Sequence, residues 1–357
     1  MIADDTTGAL DSVAHFAHAG PVALLLDPQD NDDYYGIALS TTSRAHAPSR
    51  ARKAAERATL VANARRLYIK VDSTLRGNPT EHVAGAIAAW RQRTPGAFLV
   101  ICPALPAMGR TVHNGQVLDL SVPITLSAAA RDPLPSARSA DLTMVFPGKV
   151  RALDLGKSLR ARRDIVVDAT TDDDLDRIAA AIEPYGADAV AVGSAGLAAA
   201  IARQRPRARV QPARRPAQNT LVLLTSLNPT ARVQLAMLDR ATEVVTTAPR
   251  RNNAELITEK DALAAAREAA RRASAKLASR EFDSLIIIGG DGAHALLTEL
   301  GARAFEVTGE LSPGVPLGTL VGGTADGLVV ATRSGGFGDH SHLKKMMIAL
   351  HTAEETP

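Results

Sequence analysis

Within residues 70 to 79, KVDSTLRGNP, the chain sets Lys70, Asp72, Ser73, Thr74 and Arg76 directly behind the apolar run Leu67-Tyr68-Ile69. Two kinds of cation, a carboxylate and two hydroxyls at a strand end make a compact site for an anionic, hydroxylated molecule. Lys70 and Asp72 share one face if the strand continues through them. Gly77 lets the backbone turn closely, and Pro79 suits the first turn of a following helix. A surface salt-bridge cluster is the competing reading, but such clusters rarely come with Gly-Asn-Pro punctuation.

Two more polar loops follow apolar runs. Ile2-Ala3 leads into Asp4-Asp5-Thr6-Thr7-Gly8. One carboxylate suffices to cap a helix; the other is spare to hold a substrate hydroxyl, act as a base or bind magnesium. Capping alone and function stay equally open at this point. In Ser40-Thr41-Thr42-Ser43-Arg44 the hydroxyls and guanidinium form a carboxylate cradle, because arginine pairs with a carboxylate through two hydrogen bonds. A Ser/Thr helix cap beside a surface arginine would look the same.

Glycine dominates the loops further on. Leu285–Ile288 runs into Gly289-Gly290-Asp291-Gly292-Ala293, a strand, turn and helix start whose amides suit phosphate oxygens. No Gly-Lys-Ser/Thr follows, so it is not a Walker A loop, and it is not GxGxxG either. A second cluster, Arg333-Ser334-Gly335-Gly336-Phe337-Gly338-Asp339, lies behind another apolar run, with a glycine-dense stretch at 314–327 between them. Several such loops in one region favour a nucleotide site over steric convenience.

Parallel α/β sheets bind ligands at the carboxyl ends of their strands, so these loops ask for that architecture. Strands are expected at 22–26, 37–40, 67–71, 97–102, 164–168 and 189–192. Helices are expected at 8–18, 50–63, 80–91, 171–184 and 196–203. After the arginine-proline segment at 202–216 the alternation restarts, with strands at 220–225, 243–247 and 285–288, and helices at 230–239 and 254–279. Shorter elements follow at 294–300, 317–321 and 328–332. The expected fold class is α/β: two α/β domains with largely parallel sheets.

Composition narrows the classes. The chain has 357 residues, enough for two cores, and is 46% hydrophobic but only 3% aromatic, so its cores are built from small aliphatic side chains. The net charge of +3 is small and no basic stripe interleaves with aromatics, which argues against nucleic-acid binding. Cys102 is the only cysteine, which excludes an intrachain disulfide and a multi-cysteine zinc site. Without a leader pattern or a long apolar run, no membrane partner is expected and a cytoplasmic location is. His113, His340 and His342 read as surface histidines. Cys102 ends a strand with nothing to mark it as reactive.

The ordered set of motifs resembles the four-carbon acid sugar kinase family. IADDTTGALD is similar to that family's opening, TTSRA and KVDSTLRGNP to its next two signatures. CPALPAMGRTVHNGQ, the RDP at 131–133 and GSAGLA at 193–198 resemble its middle region. Ser226, Thr230 and Gln234 fit its spaced Ser, Thr and Gln; GGDGA and TRSGGFGD resemble its last two motifs. Thr6, Gly292 and Arg333 stand where the family has leucine, threonine and lysine, and the family carries more apolar residues ahead of IADD.

The resemblance implies ATP-dependent phosphorylation of the terminal hydroxyl of threonate, erythronate or an oxo-tetronate. It implies a sugar-acid domain at 1–203, an Arg/Pro-rich linker at 204–217 and a nucleotide domain at 218–357, with the active site in the cleft between them. Asp4, Asp5, Arg44, Lys70, Asp72, Ser73 and Arg76 would hold the acid, with Asp72 or Asp5 receiving the hydroxyl proton. Ser226, Gly289, Gly290, Asp291, Gly292 and Gly336 would hold ATP, with Mg2+ as phosphate counterion and no metal ligands assigned. A homodimer stays open. The rival is a non-catalytic sugar-acid sensor, motivated by Gly292 and the short start. An NAD-dependent dehydrogenase is disfavoured by the missing GxGxxG.

Overall fold

The computed structural model describes residues 1–28, 34–127, 130, 137–208, 215–247 and 259–352. The elements in the first half are β1 (Ile2–Ala3), α1 (Thr6–Ala14), β2 (Val22–Leu25), β3 (Gly36–Ser40), α2 (Pro48–Val61), β4 (Tyr68–Lys70), α3 (Pro79–Arg91) and β5 (Phe98–Cys102). They continue with β6 (Arg110–His113), β7 (Gln116–Asp119), β8 (Val122–Pro123), α4 (Leu142–Val145), β9 (Val150–Arg151), α5 (Leu155–Arg160) and β10 (Ile165–Val166). Next come α6 (Asp172–Ile182), β11 (Ala189–Gly193) and α7 (Ala195–Arg203). The second half holds β12 (Thr220–Leu224), α8 (Pro229–Leu235), β13 (Val244–Thr246), α9 (Glu259–Leu277), β14 (Ser284–Ile288) and α10 (Gly290–Glu299). It ends with β15 (Ala304–Ser312), β16 (Val315–Val321), β17 (Val329–Arg333) and α11 (His342–His351).

The chain is α/β, and it packs as two compact units: Met1–Phe16 with Ala38–Pro206, and Ala17–Ile37 with Arg207–Pro357. The sequence boundaries assumed contiguous units, whereas β2 pairs antiparallel with β15, Leu25 opposite Ala304, and so packs with the second half. Such pairing is long-range and leaves no local mark. The RDP at 131–133 and part of the linker, 209–214, lie outside the described residues, as do 254–258 of the expected long helix.

In the first unit the strands run β3-β1-β4-β11-β5-β10-β9, every neighbouring pair parallel. Phe98–Cys102 and Ala189–Gly193 are buried along their whole length, as strands covered on both faces must be. The short β1 lies between β3 and β4, with Ile2 opposite Leu39 and Ile69, so the strand order reverses there. In open α/β sheets that reversal is where ligands bind. Helices start where their sequences allow: α2 and α3 on Pro48 and Pro79, and α6 on a reciprocal Thr171–Asp174 capping box.

In the second unit the order is β13-β12-β14-β17-β16-β15-β2, with β13, β12, β14 and β17 mutually parallel and the remainder antiparallel. Val222, Leu224, Ile286, Ile288 and Ala331 form a core with Leu343, Met346 and Leu350 of α11. The parallel strands β12, β14 and β17 are neighbours, so the loops leaving their carboxyl ends lie side by side.

Candidate active site

In the first unit, three neighbouring strand ends deliver the polar loops to one place. Asp4 follows β1, Arg44 lies in the loop after β3, and Asp72 and Arg76 lie in the loop after β4. Arg44 donates from Nε to Asp4 Oδ2 at 3.0 Å and from Nη2 to Asp4 Oδ1 at 2.8 Å and Asp5 Oδ1 at 2.7 Å. Its Nη1 sits 3.6 Å from Asp72 Oδ1. One guanidinium therefore ties together three carboxylates from two loops.

The Asp4-Asp5 doublet divides its labour. Asp5 is the cap of α1: its Oδ1 accepts from Gly8 N at 3.1 Å and its Oδ2 from Thr7 Oγ1 at 2.8 Å. Asp4 is 4% exposed and engaged by Arg44. Burial alone would raise the Asp4 pKa, and the facing guanidinium reverses that, holding the carboxyl below its ordinary range. The same partners push the Arg44 pKa up despite burial.

Asp72 is more tightly held. Its Oδ2 accepts from Thr74 Oγ1 at 2.5 Å, Thr74 N at 3.1 Å and Arg76 Nε at 2.9 Å, while Arg76 Nη2 reaches Oδ1 at 2.7 Å. Burial opposes ionisation, but Arg76 and Arg44 hold this carboxyl well below its usual range. The strand stops at Lys70, so Asp72 belongs to the loop rather than to a strand face shared with Lys70. Lys70 is buried with Nζ donating to Val71 O at 3.0 Å, and a side chain at Gly8 would come within 3.1 Å of that nitrogen.

Local backbone explains why these residue types occur. Gly77 has φ +82°, and a Cβ there would lie 2.7 Å from Arg44 O and 2.8 Å from Arg44 Cγ. Only glycine lets the two loops pass that closely. Thr42 and Leu75 also take positive φ, 46° and 57°, which is uncommon for residues with side chains and concentrates at functional loops. Asn78 Nδ2 donates to His46 O at 2.7 Å and locks the loops together. Arg110, overlooked as an individual residue in the sequence, donates from Nη1 to Ser73 Oγ at 2.9 Å. Its only signal was its place in the GRTVHNG motif.

In the second unit the loops after β12, β14 and β17 interlock through glycine. A Cβ on Gly289 would lie 2.7 Å from Thr225 Oγ1 and 2.9 Å from Ser226 N. One on Gly292 would lie 2.2 Å from Thr225 Oγ1, and one on Gly335 would overlap Ser226. Gly336 faces Asn228 Nδ2, 2.9 Å from where its Cβ would be. So Ser226, Gly289, Gly292 and Gly336 are brought together, joined by Thr225 and Asn228, which the sequence did not single out. Helix α10 starts at Gly290, so its leading amides have no partner inside the helix, and Asp291 is exposed in that first turn.

Behind the glycines lies Arg333. It is 1% exposed, with Nη1 donating to Ser334 O at 2.9 Å and Phe337 O at 3.1 Å, and Nη2 donating to Gln234 Oε1. Gln234 in turn donates to Phe337 O at 3.0 Å and Asp339 O at 2.6 Å. His342, expected at the surface, instead packs edge-on against Phe337 with its Nε2 buried, and its pKa is lowered by burial and by Arg333. His113 and His340 are exposed. Cys102 is buried at the end of β5, and its thiol is pushed up to about 12. Among the described residues, no helix is long and apolar enough to cross a membrane.

Comparison with known proteins matches the two halves of the chain to two family domains. Residues 1–201 match the family described as the sugar-binding N-terminal domain, and residues 207–343 the nucleotide-binding C-terminal domain. A D-threonate kinase of Bordetella bronchiseptica is 34% identical over 96% of this chain and 95% of its own length. A D-threonate kinase of Salmonella typhimurium is 29% identical over 96% of both chains, and a 3-oxo-tetronate kinase of Methylobacterium radiotolerans is 26% identical over 94% and 95%. A crystal structure from Bordetella bronchiseptica, described as a domain-swapped dimer with bound citrate, covers 98% of both chains at 30% identity with a TM-score of 0.51. A Haemophilus influenzae structure covers 98% of this chain and 99% of its own with a TM-score of 0.72, at 22% identity, and shares the fold.

Proposed function

The chain belongs to the four-carbon acid sugar kinase family, and on that footing we propose that it transfers the γ-phosphate of ATP to the terminal hydroxyl of a four-carbon sugar acid. D-threonate is the first substrate to test, because the relative at 34% identity carries that name. The observation that carries the reading is the convergence of Asp4, Asp5, Arg44, Asp72 and Arg76 at the β3-β1-β4 strand ends. That cluster offers acceptors for hydroxyls and donors for a carboxylate within one set of loops.

Phosphoryl transfer needs alignment and charge neutralisation more than unusual groups. Lys70, Ser73 and Arg76 are assigned to orient the acid, and Arg44 to hold the carboxylates that receive its hydroxyls. Of the two candidate proton acceptors, Asp5 is the better placed. Its Oδ2 accepts from the Thr7 hydroxyl, whereas Asp72 is locked by Arg76 and Thr74 and held well below the carboxylate range. A carboxylate stabilised that strongly is a weak base.

Ser226, Gly289, Gly290, Asp291, Gly292 and Gly336 are assigned to ATP, its phosphates meeting the leading amides of α10. The exposed Asp291 on that same loop would offer magnesium a hard oxygen ligand, and the ion would supply charge neutralisation there. A homodimer is proposed as the assembly, on the dimer described for the Bordetella structure, and light scattering in solution tests it.

The deciding experiment is ADP release with Mg-ATP across D-threonate, D-erythronate, their L forms and 3-oxo-tetronates. Turnover of one acid is expected. No turnover with any acid, in folded protein that sugar acids stabilise against heat while ATP does not, would replace the kinase by an acid-binding protein. Asp5→Asn is expected to lower kcat far more than Asp72→Asn lowers it relative to KM.

A further inference from the structure

Arg333 is a buried cation with no carboxylate paired to it among the described residues. Its guanidinium spends Nη1 and Nη2 on the neutral oxygens of Ser334, Phe337 and Gln234, and its Nε is buried with no hydrogen-bond partner among the described residues. The carboxylate nearest along the loop, Asp339, is occupied elsewhere: Oδ1 accepts from Ser341 N and Oγ at 2.8 and 2.7 Å, and Oδ2 from Lys345 Nζ at 2.8 Å. His342 is held toward its neutral form. Burial without a counter-charge lowers the Arg333 pKa to about 10. Such a site is costly, and an orphaned buried donor asks for an explanation.

The geometry supplies one. The carbonyls of Ser334 and Phe337 turn inward to the guanidinium. In a planar trans peptide the N–H points opposite to its carbonyl, so the amides of Gly335 and Gly338 point away from Arg333. The main-chain oxygen of Arg333 also accepts from Gly289 N at 3.2 Å, which ties this loop to the turn opening α10. Gly335 and Gly336 in turn lie against Ser226 and Asn228. One residue thus sets the direction of the loop's dipoles and touches the other glycine turn. It also places an uncompensated positive charge beneath both.

We propose that Arg333 is the positioning residue of the nucleotide loops, anchoring the Ser334 and Phe337 carbonyls so that the outward amides receive phosphate, with the bound polyphosphate as the counter-charge the free protein lacks. The inference rests on the nucleotide reading above and deepens it: recognition depends on the number of phosphate charges more than on the nucleoside. Lysine would keep the charge but could not span both carbonyls and Gln234 with the fixed fork of a guanidinium.

The test measures binding of Mg-ATP, ADP and AMP to the full chain by calorimetry, for the wild type, Arg333→Met and Arg333→Lys, with melting temperatures recorded for each. Arg333→Met is expected to weaken ATP on the order of 10- to 100-fold, the scale of one charge-assisted interaction, and AMP several-fold less. Arg333→Lys is expected to weaken all three while keeping the wild-type ATP-to-AMP ratio. An equal loss for the three nucleotides with Arg333→Met, or no loss, overturns the inference. If Arg333→Met does not fold, Arg333→Lys decides alone: unchanged affinities overturn the clamp. A wild type that binds none of the nucleotides overturns the nucleotide reading and this inference together. Wild-type binding with an equal loss for the three nucleotides in Arg333→Met overturns this inference only.

Discussion

Replacing Arg44 by methionine removes the tie between the loops after β1, β3 and β4. Three short hydrogen bonds to Asp4 and Asp5 disappear, together with the approach to Asp72. The arginine side chain is only 11% exposed, so water does not replace it, and Asp4 is left buried without its cation. Breaking a buried pair by removing one partner costs about 3–5 kcal/mol. With a urea slope of roughly 3 kcal/mol/M, the unfolding midpoint falls by about 1 to 1.7 M at pH 7. The chain's only tryptophan, Trp90, reports on this unit alone, because it is buried in α3 with Nε1 bonded to Ala187 O at 3.0 Å. The pH dependence fixes the cause. In the wild type, Asp4 and Asp72 lie below the ordinary carboxylate range, so their stabilisation is present above that range and lost as pH falls through the lower folded values. In the variant, burial is opposed only by the smaller pulls of His82 and Lys70 and raises Asp4 above its unfolded value, a penalty that grows as pH rises. The gap between the two proteins therefore narrows from pH 7 to pH 4. A gap under about 1 kcal/mol at pH 7, below the range for a broken buried pair, or one that stays constant on acidification, refutes the reasoning.

Gly77→Ala forces a side chain onto φ +82° and against Arg44 O, and the Trp90 unfolding curve should record a loss of about 1–3 kcal/mol. Gly292→Thr drives its Cβ into Thr225, so thermal melting should fall; adding Thr225→Gly should recover most of the loss, with a coupling of about 1–3 kcal/mol, and strict additivity would count against the packing. Cys102, buried with its thiol pushed up to about 12, should resist an aromatic disulfide reagent at pH 8 in the folded protein and react stoichiometrically in urea.

The polar loops were legible because a parallel strand buried on both faces leaves no polar residues inside it; whatever follows Ile69 or Ile288 must sit at the sheet's end. The doublet Asp4-Asp5 was legible as one cap and one spare carboxylate. Which was which depends on the φ/ψ of a single residue, and Asp5 takes the extended backbone that a cap needs. Pairing was not legible. That β1 lies between β3 and β4, or that β2 joins β15, is decided between strands up to hundreds of residues apart. The strand Ala304–Ser312 and helix His342–His351 went unread, although the first alternates buried and half-buried residues over much of its length. Arg333 and Gln234 were visible as letters in motifs; their burial against each other is a property of the fold.

The charges around the first unit's loops also change how its arginines are to be understood. Asp4, Asp5 and Asp72 stand against Arg44, Arg76 and Lys70, so the cluster is balanced before any acid arrives. A bound carboxylate adds a negative charge, and it can be received only where a guanidinium edge is shared with solvent. Arg44, wrapped by three carboxylates, has its charge answered from within. Arg76 is 24% exposed and Arg110 is 25% exposed, the latter's Nε without a hydrogen-bond partner among the described residues and 3.7 Å from Asp119. On the proposed function, Arg44 therefore builds the site while Arg76 and Arg110 meet the ligand. The cation that looked most like a carboxylate cradle in the sequence is the one whose carboxylates the protein itself provides.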